Sequence, residues 1–181
     1  MSKIPDINEE INIPDGVKAE YNDNALSISG EKGSLMRVFN HPHVNVKVSN
    51  NKIIISCKNP RRKEKAISYT FVSHIKNMIH GVLKGYEYKM KTVFSHFPIK
   101  TNVEGDEFLI QNFLGERSPR RAKILEGVKV ESKGDDVTVT GIDKEKVGQT
   151  VANIERATAV KKRDIRVFQD GVYRTMKARR D

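Results

Sequence analysis

The sequence contains very little cysteine and no long apolar run. Cys57 is the only cysteine among 181 residues, so the chain cannot form an internal disulfide or build a zinc finger or zinc ribbon. Its longest apolar runs, such as Ile53-Ile54-Ile55, fall far short of the roughly 20 residues that a membrane-spanning helix needs. The N-terminus has no apolar stretch typical of a secretory signal. These absences predict a protein of a reducing, intracellular compartment that does not insert into membranes.

The motifs of common catalytic and cofactor-binding sites are also absent. There is no GxSxG sequence, no phosphate-binding P-loop and no dinucleotide fingerprint. His41-Pro42-His43 offers two candidate metal ligands, but cysteine or carboxylate ligands at a recognisable spacing do not accompany them. We therefore predict a protein that is not an enzyme, with no catalytic residues, no metal and no cofactor.

Positive charge is what the chain has in excess. Lysine and arginine number 33 against 23 aspartates and glutamates, which gives a formal net charge of +10. A balance of this size predicts a polyanionic partner. We favour nucleic acid and expect no membrane partner.

The two halves of the chain repeat one pattern. Leu26-x-Ile28 recurs as Phe108-x-Ile110, and Val44-x-Val46 recurs as Val128-x-Val130, at a nearly constant offset. This alternation predicts strands. A stripe of helical period follows in each half, Ile67, Phe71, Ile75, Ile79 and Val82 in the first and Val147, Val151, Ile154 and Ala157 in the second. We predict an α+β fold of two tandem duplicated small domains, residues 1–85 and 86–181, each a mostly antiparallel sheet with a packed helix.

Two glycine pairs predict local features of the first half. Gly30-Glu31-Lys32-Gly33 has the form of the GxxG loop that clamps RNA in one common module, but that module places the loop between two helices. Strand-like segments flank it here, so we predict a β-hairpin turn. Gly81 and Gly85 are expected to mark the end of the first helix.

Four groups of cationic residues stand out, three of them in the second half. The first is Arg61-Arg62-Lys63 with Lys65, at a predicted helix start, where RNA contact and an ordinary solvated surface both stay open. The later groups favour nucleic acid, because clustered cations release counterions from phosphates and arginine forms forked contacts with phosphate oxygens. They are Arg117, Arg120, Arg121 and Lys123; Lys161, Lys162, Arg163 and Arg166; and Arg174, Lys177, Arg179 and Arg180.

The segment 161–173 reads Lys-Lys-Arg-Asp-Ile-Arg-Val-Phe-Gln-Asp-Gly-Val-Tyr. Its core, Arg166-x-Phe168-x-Asp170-Gly171-x-Tyr173, resembles the C-terminal signature of the large ribosomal subunit protein six family in its archaeal and eukaryotic form. Bacterial members end differently, with a Pro- and Gly-rich tail, and the tail 174–181 of this chain matches only in its basic character. Further agreement comes from Ile13-Pro14-Asp15-Gly16-Val17, the segment from Gly30 to Phe39, Phe94-Ser95-His96-Phe97-Pro98 and Asn112-Phe113-Leu114-Gly115-Glu116.

The resemblance implies two similar α/β domains that arose by duplication, in a structural constituent of the large ribosomal subunit. Members of the family bind large-subunit ribosomal RNA, chiefly through the second domain, close to the sarcin–ricin loop where elongation factors dock. The implied partners are this RNA, neighbouring ribosomal proteins and nearby elongation factors. The implied location is the cytoplasm, on ribosomes.

For this chain we predict a shaped RNA-binding rim. Asp170-Gly171 is a favourable tight-turn pair, because glycine accepts a positive φ without strain, and the turn is expected to hold Tyr173 on one side and Arg166 on the other. Phosphate contacts fix position and register, so recognition is expected to be largely of folded RNA shape. The predicted RNA-binding residues are Lys161, Lys162, Arg163, Arg166, Arg174, Lys177, Arg117, Arg120, Arg121 and Lys123.

Two other functions stay open at this point. A nucleic-acid-binding accessory protein outside the ribosome, such as an RNA chaperone or a DNA-architectural protein, would explain the charge and the duplication but not the C-terminal signature. An RNA-processing enzyme would require an activity that is lost on changing His41, His43 or His96.

Overall fold

The alternating apolar segments of the first half form short antiparallel strands, as their period predicts. The computed structural model describes residues 5–49 and 51–176. The strands pair in two sheets, in the orders β1-β6-β5 and β2-β3-β4, and helix α1 packs against both. The elements are β1 (Ile7–Asn12), β2 (Lys18–Asn22), β3 (Ala25–Gly30), β4 (Gly33–Val38), β5 (Asn45–Ser49), β6 (Lys52–Cys57) and α1 (Arg62–Leu83).

Aliphatic side chains join these sheets to the helix. Leu26 and Ile28 of β3 and Ile53 and Ile55 of β6 are fully buried, because alternate residues of a strand point to the same face. Ile75 is likewise fully buried and belongs to the predicted helical stripe. The stripe therefore faces the core, as predicted.

The two glycine pairs differ in outcome. Gly30 and Gly33 face each other at the end of the β3–β4 hairpin, so the predicted turn is confirmed. The prediction that Gly81 marks the helix end was wrong, because Gly81 is a buried residue within α1, which continues to Leu83. Gly85 follows the helix and has a φ of 75°. This value lies in the left-handed region that favours glycine, so Gly85 is the residue at which the chain leaves the helix.

The second half repeats this arrangement with one addition. Strands β8, β9 and β10 form one sheet, and the other has the strand order β11-β12-β7-β13, with helix α2 packed against both. Its core includes Phe108, Ile110, Val137, Val139 and Ile154, all fully buried. The elements are β7 (Tyr86–Val93), β8 (Lys100–Glu104), β9 (Glu107–Gln111), a 3₁₀ turn (Phe113–Gly115), β10 (Arg120–Lys123), β11 (Val128–Lys133), β12 (Asp136–Gly141), α2 (Lys144–Ala157) and β13 (Gly171–Met176).

The order of strands confirms an α+β fold built from two duplicated units. The sheet β1-β6-β5 of the first unit corresponds to β7-β12-β11 of the second, and β2-β3-β4 corresponds to β8-β9-β10. Contacts divide the chain between Lys84 and Gly85. Among the described residues, neither helix is long and apolar enough to cross a membrane.

Strand β13 is the addition that the first unit lacks. It pairs antiparallel with β7, so that Gly171 faces Val93 and Val172 faces Thr92. Helix α2 contacts β13 as well. The segment after α2 is therefore built into the sheet of the second unit and presents a loop with both ends fixed.

Candidate nucleic-acid interface

The connection between α2 and β13, residues 158–170, carries four of the predicted RNA-binding cations; we call it the basic loop. Lys161, Lys162, Arg163 and Arg166 are all exposed. None of them forms an ion pair with a carboxylate in the part of the chain that the structure describes. Arg174, on the adjoining strand β13, is exposed and unpaired in the same sense. Five exposed cationic side chains without a carboxylate partner thus lie on one continuous segment.

The remaining basic residues of the C-terminus lie outside the described residues. They are Lys177, Arg179 and Arg180. The prediction that Lys177 binds RNA therefore stays a prediction.

Arg120 is held by contacts within the second unit, which leave it few free donors for the RNA contact predicted from the sequence. Its Nε and Nη2 atoms donate to the two carboxylate oxygens of Glu116, at 2.8 and 2.6 Å. Its Nη1 donates to the backbone carbonyls of Ala157 and Ala159, at 2.9 and 3.0 Å. With the guanidinium group engaged in this way, Arg120 fastens β10 to the end of α2, where the basic loop begins.

The other cations of this group differ in whether they have a carboxylate partner. Arg121 is exposed, but its Nη1 lies 3.1 Å from a carboxylate oxygen of Glu107. Arg117 and Lys123 are exposed and have no carboxylate partner within the described segments. This cluster therefore offers fewer free cations than its sequence predicts.

The hydrogen bond from Arg120 also affects its acidic partner. It lowers the pKa of the Glu116 carboxyl below the ordinary value, and the nearby charges of Arg120 and Arg163 act in the same direction. Glu116 consequently stays ionised to lower pH than an isolated glutamate. Its negative charge holds Arg120 in place.

The tight turn of the basic loop lies earlier than predicted. The carbonyl oxygen of Asp164 accepts hydrogen bonds from the backbone N–H groups of Val167 and Phe168, at 3.2 and 2.9 Å. The Asp164 side chain also accepts one from the N–H of Arg166, at 2.9 Å. An aspartate whose side chain accepts a hydrogen bond from the backbone two residues ahead favours a turn, so Asp164 stabilises a turn in the loop that carries the cations.

Asp170-Gly171 does not form the predicted tight turn. Gly171 is the first residue of β13 and does not have a positive φ, so it is not needed for a left-handed backbone. Its small size matters instead, because a Cβ atom at this position would lie 3.1 Å from the ring of Tyr173. The Tyr173 hydroxyl donates to the carbonyl of Gln169, at 3.1 Å, which holds the ring across the glycine.

Asp170 is buried and ties the basic loop to the segment after β7. Its Oδ1 atom accepts a hydrogen bond from the N–H of Ser95, at 3.2 Å, and lies 3.9 Å from Nδ1 of His96. The ring of His96 in turn lies 5.2 Å from that of Phe168. Arg163 lies over the Phe168 ring, at 4.9 Å from its centre. Phe168 of the signature thus contacts both His96 and Arg163, which stabilises the loop.

The first basic group lies at the start of α1, as predicted. The N–H of Arg61 donates to a carboxylate oxygen of Glu64, at 2.9 Å. Hydrogen bonds from backbone N–H groups, first from that of Glu64 itself, lower the pKa of this carboxyl. Arg61 also lines a polar cavity of about 310 Å³ with His43 and Lys58. These contacts favour neither RNA binding nor an ordinary solvated surface for this group.

The histidines and acidic residues do not assemble into a metal site in the described ranges, 5–49 and 51–176. His43 donates its backbone N–H to Nδ1 of His41, at 3.3 Å, and is exposed. This is the geometry of a polar surface loop.

Comparison with known proteins relates both units to one family. The family model of ribosomal protein L6 matches residues 13–85 and 97–171. One match falls in each of the two structural units.

Curated relatives named large ribosomal subunit protein uL6 are similar over nearly the whole chain. The relative from Methanobrevibacter smithii is 50% identical over 167 residues, which cover 92% of this chain and 94% of the relative. The relative from Staphylothermus marinus is 51% identical over 177 residues, covering 96% of each. The relative from Methanosarcina mazei is 43% identical over 175 residues, covering 97% of this chain and 99% of the relative.

These relatives are archaeal ribosomal proteins and are not named as enzymes, in agreement with the prediction from the sequence. The C-terminal signature had predicted the same family from a short segment. With both units matched and the relatives aligned over nearly their full length, the chain belongs to the ribosomal protein L6 family.

Proposed function

We propose that this protein is a structural constituent of the large ribosomal subunit and binds large-subunit ribosomal RNA through its basic loop. One observation carries the proposal: Lys161, Lys162, Arg163, Arg166 and Arg174 are exposed and unpaired on one continuous segment of the described chain. Each cation that meets a phosphate releases condensed counterions, so such a segment binds RNA with a strong dependence on salt.

The pairing of the other cations supports this choice of surface. Arg120 and Arg121 already have carboxylate partners, whereas the cations of the basic loop have none among the described residues. An arginine with free donors can form forked contacts with phosphate oxygens. Arg117, Lys123 and Lys177 complete the proposed RNA-binding set.

The family resemblance supports a proposed position on the ribosome. We place the basic loop near the sarcin–ricin loop and the docking region of elongation factors, with neighbouring ribosomal proteins as further partners in the cytoplasm. We also propose that residues 86–181 form the RNA-binding domain, and that residues 1–85 contribute little to RNA affinity. The relatives' names support the large subunit, since each is called a large ribosomal subunit protein.

A charge-matched pair of variants tests the role of the basic loop. The first replaces Lys161, Lys162, Arg163 and Arg166 by alanine. The control replaces four cations of the same unit that each have a carboxylate partner, Lys89, Arg121, Lys129 and Lys133. Both variants lose four positive charges, so they separate local contacts from net charge.

The measurement is the affinity for large-subunit ribosomal RNA over a range of salt concentrations. The loop variant should flatten the slope of log affinity against log salt by about three to four, since each phosphate contact contributes about 0.9. The control should change the slope much less. Equal slopes for the two variants would refute the proposed surface.

Salt washing of purified ribosomes distinguishes the ribosomal function from that of a loosely bound accessory protein. A built-in component remains on the large subunit at high salt, whereas an RNA chaperone or a DNA-architectural protein is released. Recovery of the protein only in the released fraction would favour the accessory function.

A further inference from the structure

An open, mostly apolar groove lies beside the basic loop. It has a volume of about 760 Å³ and is lined in part by Ile165 and Phe168 of the loop and by Val93 and Tyr173 of the adjoining strands. Ile165 is 69% exposed and Tyr173 is 48% exposed, which is unusual for apolar side chains gathered in one place. A group of exposed apolar side chains of this kind is typical of a surface that binds a partner.

The charges around the groove identify the chemistry of that partner. Arg163 and Arg166 flank Ile165 in the chain, and Arg174 follows Tyr173, all three exposed and without a carboxylate partner in the described chain. An apolar groove near cations that have no carboxylate partner complements RNA, whose bases have flat apolar faces and whose backbone is anionic. Unpaired bases commonly stack on aromatic side chains in such proteins.

Glu155 supplies the polar contact within the groove. One of its carboxylate oxygens accepts a hydrogen bond from the N–H of Arg174, at 3.2 Å, and the other has no hydrogen-bond partner among the described residues. A carboxylate repels a phosphate but accepts hydrogen bonds from the amino group of a base. The groove is therefore suited to a base and not to the backbone.

We infer that this groove receives one unpaired base of ribosomal RNA, a base that carries an exocyclic amino group, while the basic loop contacts the adjacent phosphates. The base packs against Ile165 and Tyr173, and its amino group donates to Glu155. Adenine, cytosine and guanine fit this description and uracil does not. The inference rests on the proposed function, since it requires the basic loop to bind RNA.

Three full-length variants test the groove. Glu155→Gln keeps the size of the side chain and an acceptor for the Arg174 N–H but removes the charge. Ile165→Ser removes an apolar side chain that lines the groove. Val167→Ser is the matched control, because Val167 is a neighbouring apolar residue, 58% exposed, that does not line it.

The probe is complete large-subunit ribosomal RNA, with affinity measured across salt concentrations and with chemical footprinting of the base edges and the backbone. Glu155→Gln and Ile165→Ser should each weaken binding by about 5- to 30-fold, as expected for losing one buried contact, without changing the salt slope. Both should expose the edge of one adenine, cytosine or guanine that the unaltered protein protects. The backbone footprint and the binding of Val167→Ser should stay as in the unaltered protein.

The alternatives give different results. If Ile165→Ser behaves like Val167→Ser and no base edge is protected, the inference is wrong while salt-dependent binding still supports the proposed function. If the groove variants bind RNA normally but are lost from ribosomes on salt washing, the groove holds a protein and the inference is again wrong. If the unaltered protein shows no salt-dependent binding, the proposed function itself fails.

Discussion

The guanidinium group of Arg120 lies over the ring of Phe113, at 4.1 Å from its centre. Phe113 is almost fully buried in the 3₁₀ turn that precedes β10. A cation over an aromatic face adds to the hydrogen bonds that Arg120 makes with Glu116 and with the end of α2. One side chain thus connects three elements of the second unit.

Arg120→Lys should destabilise the second unit by about 2 kcal/mol, because a lysine cannot reproduce the forked contact with Glu116 and the two carbonyl contacts together. Urea denaturation followed by circular dichroism measures the change. Arg121→Lys is the control, since Arg121 makes one exposed ion pair and should change the stability by less than about 0.5 kcal/mol. Equal effects of the two substitutions would contradict the structural role of Arg120.

The acid stability of the protein should depend in part on Glu116. Its pKa in the folded protein lies below the ordinary value of 4.5, so its contribution is fully present above that value and is lost as the pH falls through the folded pKa. In Glu116→Gln this part of the acid dependence should disappear. Thermal unfolding of both proteins between about pH 2.5 and 6 measures it. Parallel curves across that range would show that Glu116 contributes nothing.

Gly171→Ala should destabilise the protein by about 1 kcal/mol, because the new Cβ atom would crowd the ring of Tyr173. The cost should largely vanish in a protein that already carries Tyr173→Ala, and a double-mutant cycle measures the difference. An equal cost in both backgrounds would mean that the backbone, and not the tyrosine ring, requires glycine here.

The two halves of the chain should differ in RNA affinity. Residues 86–181 should fold alone and bind large-subunit RNA nearly as well as the whole chain, whereas residues 1–85 should fold but bind weakly. Each fragment is small but within the size range that folds independently. Titration of both fragments at near-physiological salt tests this. Tight binding by residues 1–85 would transfer the main RNA contact to the group at Arg61-Arg62-Lys63.

The sequence predicted the repeated architecture because the repeat is carried by apolar periodicity, which local patterns record well. It did not predict β13, since the apolar residues among 171–176 do not alternate with polar ones and the strand depends on pairing with the distant β7. The sequence of strand β7, in contrast, carries an alternating pattern that predicts a strand. Tyr86, Tyr88 and Met90 alternate with charged residues and are all buried.

Free cations could not be distinguished from paired ones in the sequence. Arg120 and Arg121 are adjacent and chemically identical, yet the first is bound to carbonyls at Ala157 and Ala159, far along the chain. The position of the turn was missed for a related reason. Asp170-Gly171 is a common turn pair, but the tertiary contact of Asp170 with Ser95 places it at the start of a strand, and Asp164 forms the turn instead.

Pairing of β13 with β7 has a consequence for synthesis of the chain. Strand β7 opens the second unit and β13 is made after everything else in its sheet, so a nascent chain that has not yet reached Gly171 carries the cations of the basic loop with only one end anchored. Domains fold as units while the chain emerges. The surface proposed to bind RNA therefore takes its final shape only when strand β13 has been made.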